Sequence, residues 1–215
     1  MNLVADAMIP YLNASGIKYV RNTPEMTAAS SITASNKGNY DFHLALHSNA
    51  SKDGSAQGAE FYYYPYSYNG RRAAEIFANN FKTIYPIPSE VEIVSTTTLG
   101  EVTRTRAPAV LAEVAYHDNP DDADWIRDNI DAIAQNLVLS LTDYFGISFN
   151  YPSSSFVTVV TNGGNLNIRN SPNINAEIIG KAPNGSRLNV ISRATEWTKI
   201  SYNGIVGFVN NKFII

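Results

Sequence analysis

Helical periodicity stops at Gly146 and does not resume in the 69 residues that follow it, 215 being the chain length. Upstream, apolar runs of strand length alternate with segments whose apolar residues recur at three and four positions. Downstream, short alternating runs are separated by Gly-Gly, Asn-Gly and Pro-Asn-Gly, the chemistry of tight β-turns. A chain patterned this way has few solutions: an α/β layer first, then a small all-β unit. The expectation is an open, mostly parallel sheet flanked by helices over residues 1–149. A small all-β barrel over residues 156–215 follows, and the polar, proline-containing stretch 150–155 lies between them.

Within the first part, Leu3, Val4, Ala7, Met8, Tyr11 and Leu12 space a helix over residues 2–14. Gly16 stands at a C-cap position, and Pro10 predicts a kink or an early end. Residues 17–20 read as a short strand and 26–35 as a helical turn. Residues 41–46, after a Gly38-Asn39 turn, are nearly continuously apolar, as in a buried parallel strand. A polar loop (48–58), a Tyr-rich strand (60–64), a helix (71–84) and a strand (91–97) come next. Residues 109–115 are a buried strand. Asn119 is then an N-cap, Pro120 a first helical residue, and Asp121 and Asp122 sit at the positive end of the dipole of one helix reaching about Phe145. In the tail, strands are expected at 157–161, 166–169, 187–193, 198–202 and 205–209.

Composition narrows the chemistry. Net charge is −3 and charged residues are sparse, which excludes the basic stripe that nucleic acid requires. The surface must be built from Asn, Ser, Thr and thirteen Tyr, a surface suited to hydrogen-bonded ligands such as glycans and peptides. There is no cysteine, so thiolate metal sites and cysteine nucleophiles are excluded. No stretch approaches the roughly 20 apolar residues of a membrane span. Residues 1–6 lack a basic start and hold Asp6, so they do not read as a signal peptide.

Two segments carry candidate chemistry. In Asp41-Phe42-His43-Leu44-Ala45-Leu46-His47-Ser48-Asn49 an apolar strand ends in a histidine. Ligands of open α/β sheets bind at the carboxyl ends of strands, where His47 falls. His43 lies on the same face about 13 Å away along a strand, too far to share one metal with His47. The alternative for His47 is a hydrogen-bonded structural histidine. In Pro108-Ala109-Val110-Leu111-Ala112-Glu113-Val114-Ala115-Tyr116-His117-Asp118-Asn119 a carboxylate stands inside an apolar strand. Such a group is neutralised, paired or liganded, and makes a good general acid or base. The alternative is an ion pair with Arg104 or Arg106.

Together these segments resemble the N-acetylmuramoyl-L-alanine amidase family of zinc-dependent cell-wall hydrolases. Ala45-Leu46-His47-Ser48-Asn49 is similar to the family's Ser-Ile-His-Ala-Asn-like motif. Leu111-Ala112-Glu113, Tyr116 and Asn119 follow its later Leu-Val-Glu motif, and residues 16–21 look like the segment before its threonine-arginine step. The resemblance covers about residues 2–146. It implies a peptidoglycan hydrolase that cleaves the muramoyl–L-alanine amide with zinc-activated water, with His47 a zinc ligand and Glu113 the catalytic carboxylate. His117 matches no ligand position. The family's first strand, with a Gly-His-Gly-like motif, and a glutamate ligand near the first helix would both fall upstream of Met1, and neither Asp6 nor Glu25 aligns with a ligand. An alternative role is therefore a non-catalytic wall-binding protein on the same fold.

The tail resembles bacterial SH3-like domains. Leu166-Asn167-Ile168-Arg169-Asn170-Ser171-Pro172 matches their opening, and the similarity continues through Pro183-Asn184-Gly185, Trp197-Thr198-Lys199-Ile200 and Gly204-Ile205-Val206-Gly207-Phe208-Val209. It implies peptidoglycan as the partner and a place at the cell wall or outside the cell, as in an autolysin or endolysin. Trp197 and Tyr202 could stack on a ligand, but a unit of about 60 residues needs its large side chains for the core.

Overall fold

A computed structural model describes residues 1–152, 156–194 and 196–215. The chain forms two compact units, Met1–Tyr151 and Pro152–Ile215. Residues 153–155, within the stretch read as a linker, lie outside the described residues.

The first unit is built on a four-stranded sheet in the order β1-β4-β2-β3. β1 (His43–Asn49) and β4 (Ala109–Tyr116) are parallel, and so are β2 (Ala59–Tyr63) and β3 (Val91–Ser95). The β2–β4 pair between them is antiparallel, so the sheet is mixed, with two parallel pairs. Strand alternation assigns its two faces different work. One face (Val110, Ala112 and Val114 of β4, Ala59 and Phe61 of β2) packs under α1 (Asn2–Ala14), α3 (Tyr68–Phe81) and α6 (Ile130–Phe145). Phe61, Phe77 and Phe81 are fully buried there. Burial of each contributes on the order of 1.5–3 kcal/mol relative to exposure. The other face holds a smaller apolar patch of Ala45, Val102, Ala109 and Leu111, covered by the short helix α4 (Gly100–Thr103). α2 (Ala28–Lys37) packs against α4.

Several expectations change. Pro10 does not shorten α1, which runs through it to Ala14. Residues 17–20 form no strand: the Ile17 amide donates to the Leu12 carbonyl to close α1, and Val20 is 73% exposed with no strand partner among the described residues. β1 begins later than predicted and extends to Asn49, so His47 lies inside the ladder rather than beyond it. The single helix expected from Pro120 is two, α5 (Pro120–Asp128) and α6, broken at Asn129. There the Trp125 carbonyl accepts from both the Asn129 backbone amide at 3.0 Å and the Asn129 side chain at 2.8 Å, which closes the end of α5. Gly146 ends α6 in the left-handed conformation (φ 66°) that a side chain would strain.

The second unit is a six-stranded sheet, β5-β8-β9-β10-β6-β7, antiparallel throughout. β5 (Phe156–Thr158), β6 (Leu166–Arg169), β8 (Arg187–Arg193), β9 (Trp197–Tyr202) and β10 (Ile205–Asn210) fall where expected, and β7 (Ile178–Ala182) adds a strand. Its ladders describe an all-β sheet rather than a closed barrel, with Val159 bridging to Ile214 next to β5. Asn203 (φ 49°) and Gly204 (φ 80°) make the two-residue β9–β10 turn, both positions requiring positive φ. The core is Val157, Val159, Leu166, Ile168, Leu188, Ile200 and Val209 with Ala182. Tyr202 packs against it, whereas Trp197 is only half-buried and lines a groove of about 160 Å³ with Ile174, Phe213 and Arg169. The expectation that Trp197 is core therefore fails: as the first residue of β9 it reaches the rim.

One buried carboxylate locks the carboxyl end of β4. Asp122, 3% exposed, accepts from the Gly58 amide at 3.1 Å, the Tyr116 amide at 2.9 Å and the Tyr85 hydroxyl. Asn119, as predicted, caps α5 by accepting from the Asp121 and Asp122 amides. Replacing Asp122 with Ala leaves three donors buried without a partner. The expected cost is about 3 kcal/mol, read in urea unfolding as a lower midpoint at unchanged slope.

Candidate active site

The open face of the first sheet carries a row of polar side chains beyond its small apolar patch. Register creates the row. His47 of β1 is opposite Glu113 of β4, and Glu113 is opposite Glu60 of β2. Glu113 shares the face of Ala109 and Leu111 by alternation, and His47 that of His43 and Ala45. The row lies toward the carboxyl ends of the parallel pair β1–β4.

A residue that sequence reading missed joins it. Glu101, on α4, is 9% exposed. Its Oε2 lies 2.9 Å from Nε2 of His47, and its Oε1 lies 3.9 Å from Nε2 of His43, a Coulombic contact beyond hydrogen-bond reach. One carboxylate thus spans the two imidazoles that strand spacing keeps apart. Nδ1 of His43 meets the Ser35 hydroxyl at 3.1 Å. Glu101 is held there by its neighbours: Val102 and Leu99 pack onto Ala45, Ala109 and Leu111. Asn36 of α2 pins the following turn, donating to the Arg104 carbonyl at 2.7 Å and accepting from the Arg106 amide at 2.8 Å. No local pattern around residue 101 signals this role, because its partners lie 54 and 58 residues earlier in the chain.

The electrostatics follow from the placement. His43 and His47 hold the Glu101 carboxyl down at about 2, against the effect of burial. The hydrogen bond to Glu101 raises His47, with burial opposing. Both shifts express one attraction seen from its two ends. Glu113 behaves in the opposite way. Burial, aided by Glu60 and Glu101, pushes its carboxyl up, while His47 and His117 pull it down. Its Oε2 is buried with no hydrogen-bond partner. Neither Arg104 nor Arg106 forms an ion pair with it among the described residues, which disposes of the structural pairing considered above. Glu60 is satisfied by contrast, accepting from Asn49 at 2.7 Å and the Tyr62 hydroxyl at 2.8 Å. His117 stays at the rim on Ser48. Asp6 pairs with Arg21.

A catalytic zinc takes three protein ligands and an open position. The donor types here suit a divalent cation, but their placement does not: among the described residues no three His, Asp or Glu side chains converge on a common point. The Nε2 of His47 is already engaged by Glu101. The residues present do not by themselves fit the metal.

Comparison with known proteins identifies the family. Residues 2–143 match the family model described as N-acetylmuramoyl-L-alanine amidase, and residues 164–215 match the bacterial SH3 domain model. A Bacillus subtilis (strain 168) protein named "Putative N-acetylmuramoyl-L-alanine amidase YrvJ" is 30% identical over 95 residues, 44% of this chain. Those residues span 18% of that relative's length. Among solved structures, the catalytic domain of CwlV, an amidase from Bacillus (Paenibacillus) polymyxa var. colistinus, superposes with a TM-score of 0.60 at 18% identity. That superposition covers 68% of this chain and 83% of CwlV. An N-acetylmuramoyl-L-alanine amidase from Clostridium difficile 630 gives 0.58 at 18% identity, over 67% of this chain and 81% of its own. The solved structures share the fold, and the family model covers well over half the chain: this protein belongs to the N-acetylmuramoyl-L-alanine amidase family, with a bacterial SH3 domain at its C-terminal end.

Proposed function

We propose that this chain acts on peptidoglycan, cleaving the amide between the muramoyl lactyl group and L-alanine. The observation that carries the reading is Glu113: a carboxylate with a buried, unpartnered oxygen, raised by burial, next to an imidazole at the carboxyl end of a parallel strand pair. A carboxylate raised by burial is a stronger base than an exposed one, suited to take a proton from an attacking water and return it to a leaving amine. Glu113 is the proposed proton carrier. His47 is the proposed zinc ligand of this chain, the one donor the family resemblance assigns. Zinc, when bound, supplies Lewis-acid polarisation and a nucleophilic water.

The second unit is the proposed wall anchor. Its groove, lined by Trp197, Phe213, Ile174, Asn165, Asn167 and Asn210, brings apolar and hydrogen-bonding residues together. Tethering to a repetitive polymer raises the effective concentration of the first unit at its bond without strengthening any single contact. The proposed location is the cell wall or outside the cell. No helix among the described residues is long and apolar enough to cross a membrane.

A second reading, a non-catalytic wall binder on the amidase fold, is favoured by the incomplete donor set. Elemental analysis with wall sedimentation separates the two. One tightly held zinc per chain supports hydrolysis, whereas a metal-free chain that still sediments with walls supports the binder.

Glu113→Gln is expected to lower release of free L-alanine amino termini from purified walls by about 10²- to 10⁴-fold while the chain stays folded. Undiminished release by the folded variant rules out the role assigned to Glu113. The same substitution has a stability signature. An acid raised on folding favours the native state at low pH, and that contribution is lost as pH rises from its unfolded value of 4.5 through its higher folded value. The variant should therefore melt above the wild type at pH 8. The gap should close at pH 4, where both forms are uncharged.

A further inference from the structure

We propose that Glu101 is a positioning residue: by accepting a hydrogen bond from Nε2–H of His47 it fixes that ring's tautomer and orientation and leaves Nδ1 as its free electron pair. This rests on His47 being the working imidazole of the proposed site.

The geometry carries the assignment. An ionised carboxylate only accepts hydrogen bonds, so the 2.9 Å contact to Oε2 puts the proton of His47 on Nε2. Among the described residues Nδ1 of His47 makes no hydrogen bond, so the neutral ring offers its lone pair there. The carboxylate is 9% exposed, and its other oxygen faces Nε2 of His43 at 3.9 Å. That nitrogen is itself buried with no hydrogen-bond partner, and His43 is anchored on Ser35 at its far side. Below, Val102 keys α4 into the patch of Ala45, Ala109 and Leu111. Ala45 lies between the two histidines on β1, so the surface that seats α4 is the one that spaces the imidazoles. A histidine whose second nitrogen is held by a carboxylate has one defined electron pair and a fixed ring direction, the arrangement that makes an imidazole a good ligand or base. Proximity to the reacting groups is indirect: Glu101 acts through His47 and is not assigned contact with substrate.

The chain has three histidines, which makes a direct test practical. Imidazole ¹⁵N resonances of the full chain, recorded at pH 9 without added metal and assigned by His43→Asn and His117→Asn, report each tautomer. In the wild type His47 is expected as a single Nε2–H form. In Glu101→Gln, whose amide can present either a donor or an acceptor, the Nδ1–H form should appear. In Glu101→Ala the ring should relax to the solution mixture, with faster exchange of the Nε2 proton. Near-ultraviolet circular dichroism and thermal melting establish that each variant is folded. A carboxylate with a purely structural role predicts lower melting temperatures with an unchanged His47 tautomer, and that result overturns the proposal. An Nδ1–H tautomer in the wild type overturns it without recourse to any variant. The readout uses no wall lysis, so inactivity on peptidoglycan refutes the hydrolytic reading while leaving this measurement to stand or fall separately.

Discussion

The pairing of β1 with β4 is the constraint from which the site follows. Parallel register sets His43 opposite Ala109 and His47 opposite Glu113. Strand alternation then sends Leu44, Leu46, Val110 and Ala112 into the helical layer and His47 and Glu113 to the other face. A slip of one residue would reverse every side chain of the slipped strand, burying a charge against the helices and exposing aliphatic groups. The large core of phenylalanines and branched aliphatics therefore does more than stabilise the first unit. It enforces the register that brings a histidine and a glutamate together.

The two faces of the sheet differ in what they tolerate. Beneath α1, α3 and α6 the packing is continuous and apolar. Beneath α4 a small apolar patch gives way to three carboxylates and two imidazoles, in which Glu60 and Glu101 are partnered and one oxygen of Glu113 is not. An orphan buried acceptor is unfavourable for folding. Function at the expense of stability is a common feature of reacting groups, and here the unfavourable position falls on the carboxylate assigned to proton transfer. Glu101 shows the opposite balance: between two imidazoles its charge is favoured.

The two units were distinguishable in the sequence because the signals that separate them are local. Loss of the helical period after Gly146, the Asn203-Gly204 turn and the Leu166–Arg169 motif need only nearest-neighbour chemistry to be read. The errors in element boundaries have equally specific causes. The helix breaks at Asn129, whose side chain bonds the Trp125 carbonyl at the end of α5, a local contact that apolar periodicity does not register. Residues 17–20 have the composition of a strand, but a strand exists only where a partner presents hydrogen bonds, and among the described residues none does. Trp197 reads as core by size and lies at a rim by position.

His47 and Glu113 were legible because each is a polar residue in an apolar strand, an arrangement whose cost demands a reason. The sequence by itself determined the fold class and the family and offered these two positions as candidates, since periodicity, turn chemistry and short motifs are properties of contiguous residues. Only the tertiary structure decided that His43 and His47 share a carboxylate, that the carboxylate is Glu101, and that Glu113 forms no ion pair with an arginine among the described residues. Those facts depend on α4 docking onto β1 and β4 across more than fifty residues of chain. Through-space contacts of that kind have no signature in spacing, because the intervening loop can be closed in many ways and only the packed patch of Ala45, Val102, Ala109 and Leu111 selects one.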